Sequence, residues 1–327
     1  MALAACGSST LEAKGTPEPE TLTVYNAQHE SLTDAWAKAF EDRTGIRVEV
    51  RHGSDSSMAA QLVQEGSSSP ADVFLTENSP AMTTVQNAGL LAAVDPATTA
   101  QVGPQYAPST HQWVGIAARS TVLVYNPSKI TAAQLPTSIM DLAKPEWKGK
   151  WGAAAGGADF QAIVSAILAT QGEQKTATWL AGLKSGAQVF QSNTAVMKAV
   201  NAGQVPVGIM YHYYWYRDQA LTKAGSKNTA LLYFRHRDPG AFVSISGGGV
   251  LKSTKHAATA QKFLAFVTSA QGQKVLATSD AKEYAVGNGV ASDPALEPLA
   301  SLEAPSVDPF TLNGPKVITL MTRAGIL

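Results

Sequence analysis

The stretch TLTVYNAQHESLTDAWAKAFEDRTGIRVEVRHGSDSSMAAQLVQEGSSSPADVFLTE, residues 21–77, switches regularly between two periodicities. TLTVYN (21–26) is a β-rich run that leads to His29. In SLTDAWAKAFEDRTG the apolar set Leu32, Ala35, Trp36, Ala39 and Phe40 recurs at helical spacing, and Gly45 stands where a C-terminal cap belongs. IRVEV (46–50) alternates Ile46, Val48 and Val50 toward one face, as a strand does. SMAAQLVQEG predicts a second helix, and ADVFL (71–75) a buried strand that runs out at Thr76 and Glu77. The order β-α-β-α-β implies an α/β protein with a mostly parallel sheet flanked by helices. Such sheets bind ligands beyond the carboxyl ends of their strands, where loops diverge and backbone groups are free. His29 and Glu77 both follow such ends.

Farther along, residues 112–126 and 241–253 form two long extended stretches. Between them WGAAAGG (151–157) predicts a strand entering a glycine-rich turn, a helix follows from Asp159, and VPVGIMY (205–211) is a further strand. The second extended stretch leads into TKHAATAQKFLAFVTSAQGQKVLATS (254–279), which predicts a pair of helices. Two α/β units joined by two extended crossings make a two-lobed protein with a cleft. The expected boundaries are 21–118 with 246–327 for a discontinuous N-lobe and 119–245 for the C-lobe.

Composition narrows the partners. The chain has 327 residues, 45% apolar and 15% charged, with zero formal net charge. No electrostatic footprint for nucleic acid or anionic lipid is present, and no run of 18 apolar residues marks a membrane span. The single cysteine, Cys6, rules out a disulfide framework and CxxC metal or redox sites. Leu3, Ala4 and Ala5 before Cys6 resemble a lipoprotein acylation motif, and the polar GSSTLEAKGTPEPE that follows has the composition of a tether. Residues 1–20 are therefore expected to be a leash with a lipid on Cys6, the only link to a membrane.

Catalytic signatures are missing or broken. GGGVLKST (247–254) has Leu251 where a phosphate-binding loop needs glycine, Pro127 interrupts the Tyr125/Lys129 pair, and GxSxG and HExxH do not occur. The unusual feature is MYHYYWYRD (210–218), with Tyr211, Tyr213, Tyr214 and Tyr216 inside six positions. One reading is aromatic packing. The other is a ligand set, because at a strand-to-helix junction the adjacent Tyr213 and Tyr214 hydroxyls can turn toward one point. Phenols titrate near ~10, so only a strongly polarising cation would ionise two of them at neutral pH. Two phenolates and one carboxylate balance a trivalent ion, whereas zinc favours Cys and His and calcium favours carboxylates and carbonyls. Fe(III) fits that balance.

Tyr25-Asn26-Ala27-Gln28-His29, TGIRVEV, SPADVFLTEN, Tyr213-Tyr214-Trp215-Tyr216, FRHRDPGAFVSISGGGVLKS and the terminal ITLMTRAGIL together resemble the bacterial ferric-ion-binding proteins of iron ABC importers. The resemblance implies a type 2 periplasmic binding-protein fold and an extracytoplasmic, non-enzymatic monomer. Such a receptor, periplasmic or anchored to the outer face of the cytoplasmic membrane, hands Fe(III) to an ABC permease. It places the metal ligands at His29, Glu77, Tyr213 and Tyr214. It also implies a synergistic anion, carbonate or phosphate, at Gly156-Gly157-Ala158 with Asn193 nearby, and Arg119 matches an arginine of carbonate-binding relatives. Gly156 and Tyr211 depart from the family pattern, where serine and asparagine are common. That removes two anion contacts and leaves Tyr211 open as a contact to metal or anion. Alternatives are a same-fold receptor for a thiamine-like, polyamine or phosphonate ligand, in which aromatics stack on the solute, and a metal-dependent hydrolase.

Overall fold

The computed structural model describes residues 21–310 and 312–327; the expected tether and Cys6 lie outside the described residues. In chain order the elements are β1 (Thr21–Asn26), α1 (Glu30–Thr44), β2 (Arg47–His52), α2 (Asp55–Glu65), β3 (Val73–Leu75), α3 (Ser79–Asn87), α4 (Pro96–Thr99) and β4 (Val114–Tyr125). Then come β5 (Trp151–Ala153), α5 (Ala158–Gly186), β6 (Ala187–Val189), α6 (Asn193–Asn201), β7 (Val207–Tyr211), α7 (His212–Leu221) and β8 (Ala230–Leu232). β9 (Val243–Val250), α8 (Ala257–Thr268), α9 (Ala270–Thr278) and α10 (Gly314–Arg323) complete the chain.

The opening β-α-β-α-β unit forms as its periodicity predicts. α1 buries Leu32, Trp36 and Phe40 and stops at Gly45, whose φ of 72° is cheap only for glycine and lets its N–H reach Glu41 O at 2.8 Å. β1 pairs in parallel with β2 on one side and β3 on the other. In the second unit β5 likewise pairs in parallel with β6 and β7. Between these parallel halves run two long antiparallel strands: β4 pairs with β9 through its first seven residues and with β7 and β8 beyond them. The strand order is β2-β1-β3-β9-β4-β7-β5-β6, with β8 on β4. β4 is thus continuous through both lobes, and its twelve residues are nearly all buried. α5 is bent where Gly172 leaves helical geometry.

Each half of the sheet is covered on both faces, as strands in a mostly parallel α/β sheet must be. One half lies between a core containing Leu22, Trp36, Ile116 and Phe263 and one containing Phe74, Met82 and Trp113. The other lies between a core around Trp151, Ile163, Trp179 and Leu183 and one around Val122, Val124 and Met197.

The C-terminal end departs from the expected boundary. Val317, Leu320 and Met321 of α10 pack into the core around α5, in the second lobe and not the first. Leu302, just upstream, still belongs to the first core. Residues 303–313 therefore make a third crossing. It is tied to the start of the first crossing and to the loop ahead of the second: Phe310 meets Trp113 edge-on at 4.5 Å. Glu303 accepts the Arg237 N–H at 3.0 Å and pairs with His236 at 2.8 Å.

Candidate metal centre

Both first-lobe groups sit where strands run out. His29 is the residue before α1, its N–H bonded to Gln28 Oε1 at 2.8 Å. Glu77 follows β3 and is fixed by its backbone: its N–H donates to Asp55 Oδ1 at 2.9 Å, and its carbonyl accepts from Ser246 Oγ at 3.2 Å. From the second lobe, Tyr211 ends β7, and Tyr213 and Tyr214 occupy the first turn of α7. The strand-to-helix junction does turn both phenols to one side. Their rings stack at 4.2 Å, and both hydroxyls donate to Asp159 Oδ2, at 3.3 and 3.1 Å.

The two lobes meet through these groups. Tyr213 Oη lies 2.9 Å from Glu77 Oε1, and its ring is edge-on to His29 at 4.7 Å. His29 Nε2 is 3.6 Å from Glu77 Oε1 and 3.1 Å from Glu283 Oε1, yet makes no aligned hydrogen bond to either. A small hard cation holds its ligand atoms at ~2 Å, so neighbouring ligands on an octahedron lie about 3 Å apart. The Tyr213–Glu77 spacing matches that edge length, and His29 Nε2 sits beside both carboxylates without an aligned hydrogen bond. The residues present fit a metal ion.

Charge in this region is one-sided. Asp55, Glu77, Asp159 and Glu283 converge, and Arg119 is the fixed positive group among them. Burial and then the Asp159 carboxylate hold Glu77 above the usual carboxylate range. Burial, helped by Glu77, pushes Asp55 up to about 8. Burial and then Asp159 also hold Tyr211, Tyr213 and Tyr214 well above an ordinary phenol. Burial alone would lower His29, but the Glu283 and Glu77 carboxylates together more than offset it and the net shift is upward.

Several positions behave differently from expectation. Arg119, expected to meet an anion, is completely buried and bound to Glu283 through Nε and Nη2, with Ser246 Oγ at 2.8 Å. Its Nη1 has no hydrogen-bond partner, and the guanidinium lies over the Tyr211 and Tyr213 rings at 5.9 and 5.7 Å. The Gly157 N–H closes a turn onto Ala154 O at 2.9 Å, and Gly156 O accepts from Gln161 at 3.3 Å. Asn193 donates to Asp159 Oδ2 at 2.9 Å. Tyr211 reaches Asn78 Oδ1 at 3.4 Å and stands behind the other two phenols. Trp215 and Tyr216 pack, Trp215 beside Val122 and Val124 and Tyr216 against the first-lobe core. A cavity of about 330 Å³ opens beside the cluster, lined by Asp55, Glu77, Gly157, Asp159, Asn193 and Tyr214 among others.

Asp159, Glu283 and Asp55 were not marked by sequence. Glu283 is the organiser of the first-lobe side. It takes Arg119, Gln28 Nε2 at 3.0 Å and His29. Burial pushes its carboxyl up, but Arg119 and His29 together more than offset that and bring it to about 2. Its contribution to stability is present above the unfolded carboxylate range near ~4.3 and is lost as pH falls toward 2. Glu283→Gln leaves Arg119 buried with Glu77 4.0 Å away as its nearest charge. We expect a loss of about 3 kcal/mol in urea unfolding of the metal-free protein at pH 7, and a flatter stability profile below pH ~4.

Residues 68–310 match the family described as bacterial extracellular solute-binding protein. The chain is 59% identical over 306 residues to the Fe(3+)-binding periplasmic protein of Serratia marcescens, covering 94% of this chain and 90% of that one. It is 36% identical over 314 residues to the major ferric iron-binding protein of Neisseria meningitidis serogroup B, covering 95% of each. The crystal structure of iron-bound HitA from Pseudomonas aeruginosa superposes with a TM-score of 0.88 at 42% identity, over 94% of this chain and all of that one. The Trichodesmium FutA structure with iron and citrate ligands gives 0.83 at 26% identity, over 94% of this chain and all of that one. With a two-lobed α/β architecture and a tyrosine-carboxylate-imidazole cluster at the lobe junction, the chain belongs to the bacterial extracellular solute-binding proteins, in the ferric-ion-binding group with the type 2 periplasmic fold.

Proposed function

We propose that this protein is an extracytoplasmic receptor that captures Fe(III) between its lobes and presents it to an ABC permease. The observation that carries the reading is the meeting of Tyr213, Tyr214, Glu77 and His29 from two lobes, with Tyr213 and Glu77 2.9 Å apart and the His29 nitrogen lacking an aligned partner. His29, Glu77, Tyr213 and Tyr214 act as the ligands, with an exogenous anion (carbonate or phosphate) or water completing the sphere. Two phenolates and Glu77 neutralise a trivalent ion, while Arg119 and Glu283 neutralise each other. Names of relatives that bind ferric iron support the same assignment.

A receptor for an organic cation would instead present open ring faces. Here Tyr213 is buried, with Tyr214 stacked on one side and His29 against it. Capture and release need no chemistry on the cargo, so the protein works as a carrier and not an enzyme. Its place outside the cytoplasmic membrane, through lipidated Cys6 or free in the periplasm, follows from this role.

Colour is the direct test. Titrating the metal-free protein with ferric citrate should raise a visible phenolate-to-iron charge-transfer band that saturates at one iron per chain. A titration that stays colourless while iron binds would remove the phenolates from the site.

A further inference from the structure

α7 opens with an imidazole that the metal centre does not use. His212, the first residue of the helix, is completely buried, and its Nδ1 accepts the backbone N–H of Ser120 at 3.2 Å. Ser120 is the last residue of β4 in register with β9, opposite Val243, and the next residue, Thr121, pairs with Tyr211 of β7. The imidazole is thus bound to β4 at the step where the strand passes from one lobe to the other. Its ring lies face to face with that of Tyr284, at 4.5 Å and 21°. Tyr284 belongs to the first-lobe core and is stitched to β4 by two backbone hydrogen bonds with Ala118, at 2.8 and 3.0 Å. Two stacked rings, one from each lobe, therefore hang from one strand two residues apart.

Residues four apart share a helix face, whereas neighbours diverge by ~100°. His212 and Tyr216, whose rings meet edge-on at 5.9 Å, accordingly present one face of α7 to the first lobe, where Tyr216 also packs. Tyr213 and Tyr214 follow on the next face, so whatever fixes the roll of this helix aims both phenols. The helix start does not fix it alone, because Tyr211 before it makes no side-chain capping bond. A roll of about 10° would carry a phenol oxygen, ~8 Å from the helix axis, through more than ~1 Å, beyond the tolerance of a metal site.

Resting on the ferric reading above, we infer that His212 is a positioning residue: through Ser120 and Tyr284 it sets the roll of α7 against β4, so that Tyr213 and Tyr214 meet Glu77 and His29 in one orientation. It touches no captured ion. The acceptor nitrogen and the flat ring make separate contributions, which can be removed one at a time.

His212→Phe keeps the ring and loses the acceptor, and His212→Asn keeps an acceptor near the Nδ1 position and loses the ring. Tyr284→Leu removes the opposing plate from a first-lobe residue that makes no contact with the phenols' hydroxyls. Each intact chain is loaded with Fe(III) from ferric citrate and read by its charge-transfer band, by competition with a chelator, and by urea unfolding of the metal-free form. His212→Phe should hold iron about ten- to a hundredfold more weakly and shift the band maximum, which a merely stabilising role would not move, and His212→Asn should regain part of the affinity. Tyr284→Leu should shift the band in the same direction, and it decides the matter where the His212 variants fold poorly. Bands at the wild-type position with affinities within about twofold, in variants that only unfold at lower urea, would overturn the inference and leave the ferric reading standing. A wild-type chain that shows no band would overturn the ferric reading and this role with it.

Discussion

Tyr213→Phe with Tyr214→Phe is expected to give a folded, colourless protein that no longer retains iron. Both rings remain, so the stack at 4.2 Å and the edge contact to His29 survive in shape. What disappears are two hydroxyls whose oxygens would bear two of the charges that hold the ion. Affinity should fall by more than ~1000-fold, which corresponds to about 4 kcal/mol. Each single variant should keep a weaker band, since one phenolate is left. Equilibrium competition against a chelator, read beside the visible spectrum, measures both effects. Retention of iron within about tenfold of wild type by the double variant would assign the cluster to packing.

Acidification should be nearly as destructive to binding. In the metal-free protein burial, reinforced by Asp159, holds both phenols well above their ordinary range, so they carry their protons at neutral pH. Loading must expel two of them. Mass action then lowers the apparent binding constant by about a hundredfold for each pH unit of acidification, the sign following from protons competing with the ion. Glu77, also raised, adds a third proton once pH falls below its own range. Calorimetry in buffers of different ionisation heat counts the protons directly. A count of one, with a tenfold dependence, would leave only one tyrosine ionised.

The first five elements could be read from residues 21–77 because their periods are local: Leu32, Trp36 and Phe40 line one helix face whatever else the chain does. His29 and Glu77 were legible for a related reason, since the end of a parallel strand is a place and both residues mark one. The tyrosine pair announced itself by density. The acids did not. Glu283 is a single glutamate after α9, with no spacing relation to Arg119 or His29, and only folding brings residues so distant in sequence into contact. Asp159 was visible as the opening of a helix after two glycines, at the same edge as the other candidate residues. The signal that could have found it was an acid in the first turn of that helix. α10 was misassigned because Val317, Leu320 and Met321 show an apolar face without naming the core it meets.

That helix carries a mechanical consequence. Two lobes joined by the neighbouring strands β4 and β9 alone could both fold together and twist about the strand axis. The third connection, tied by Phe310 to Trp113 and by Glu303 to the backbone of Arg237, stands as a brace against torsion. A hinge closing against this brace would follow a single arc and return Glu77 and Tyr213 to the same mutual alignment on every cycle. Selectivity for a small ion demands that repeatability, because an error of even half a bond length in how the halves meet would spoil the coordination sphere.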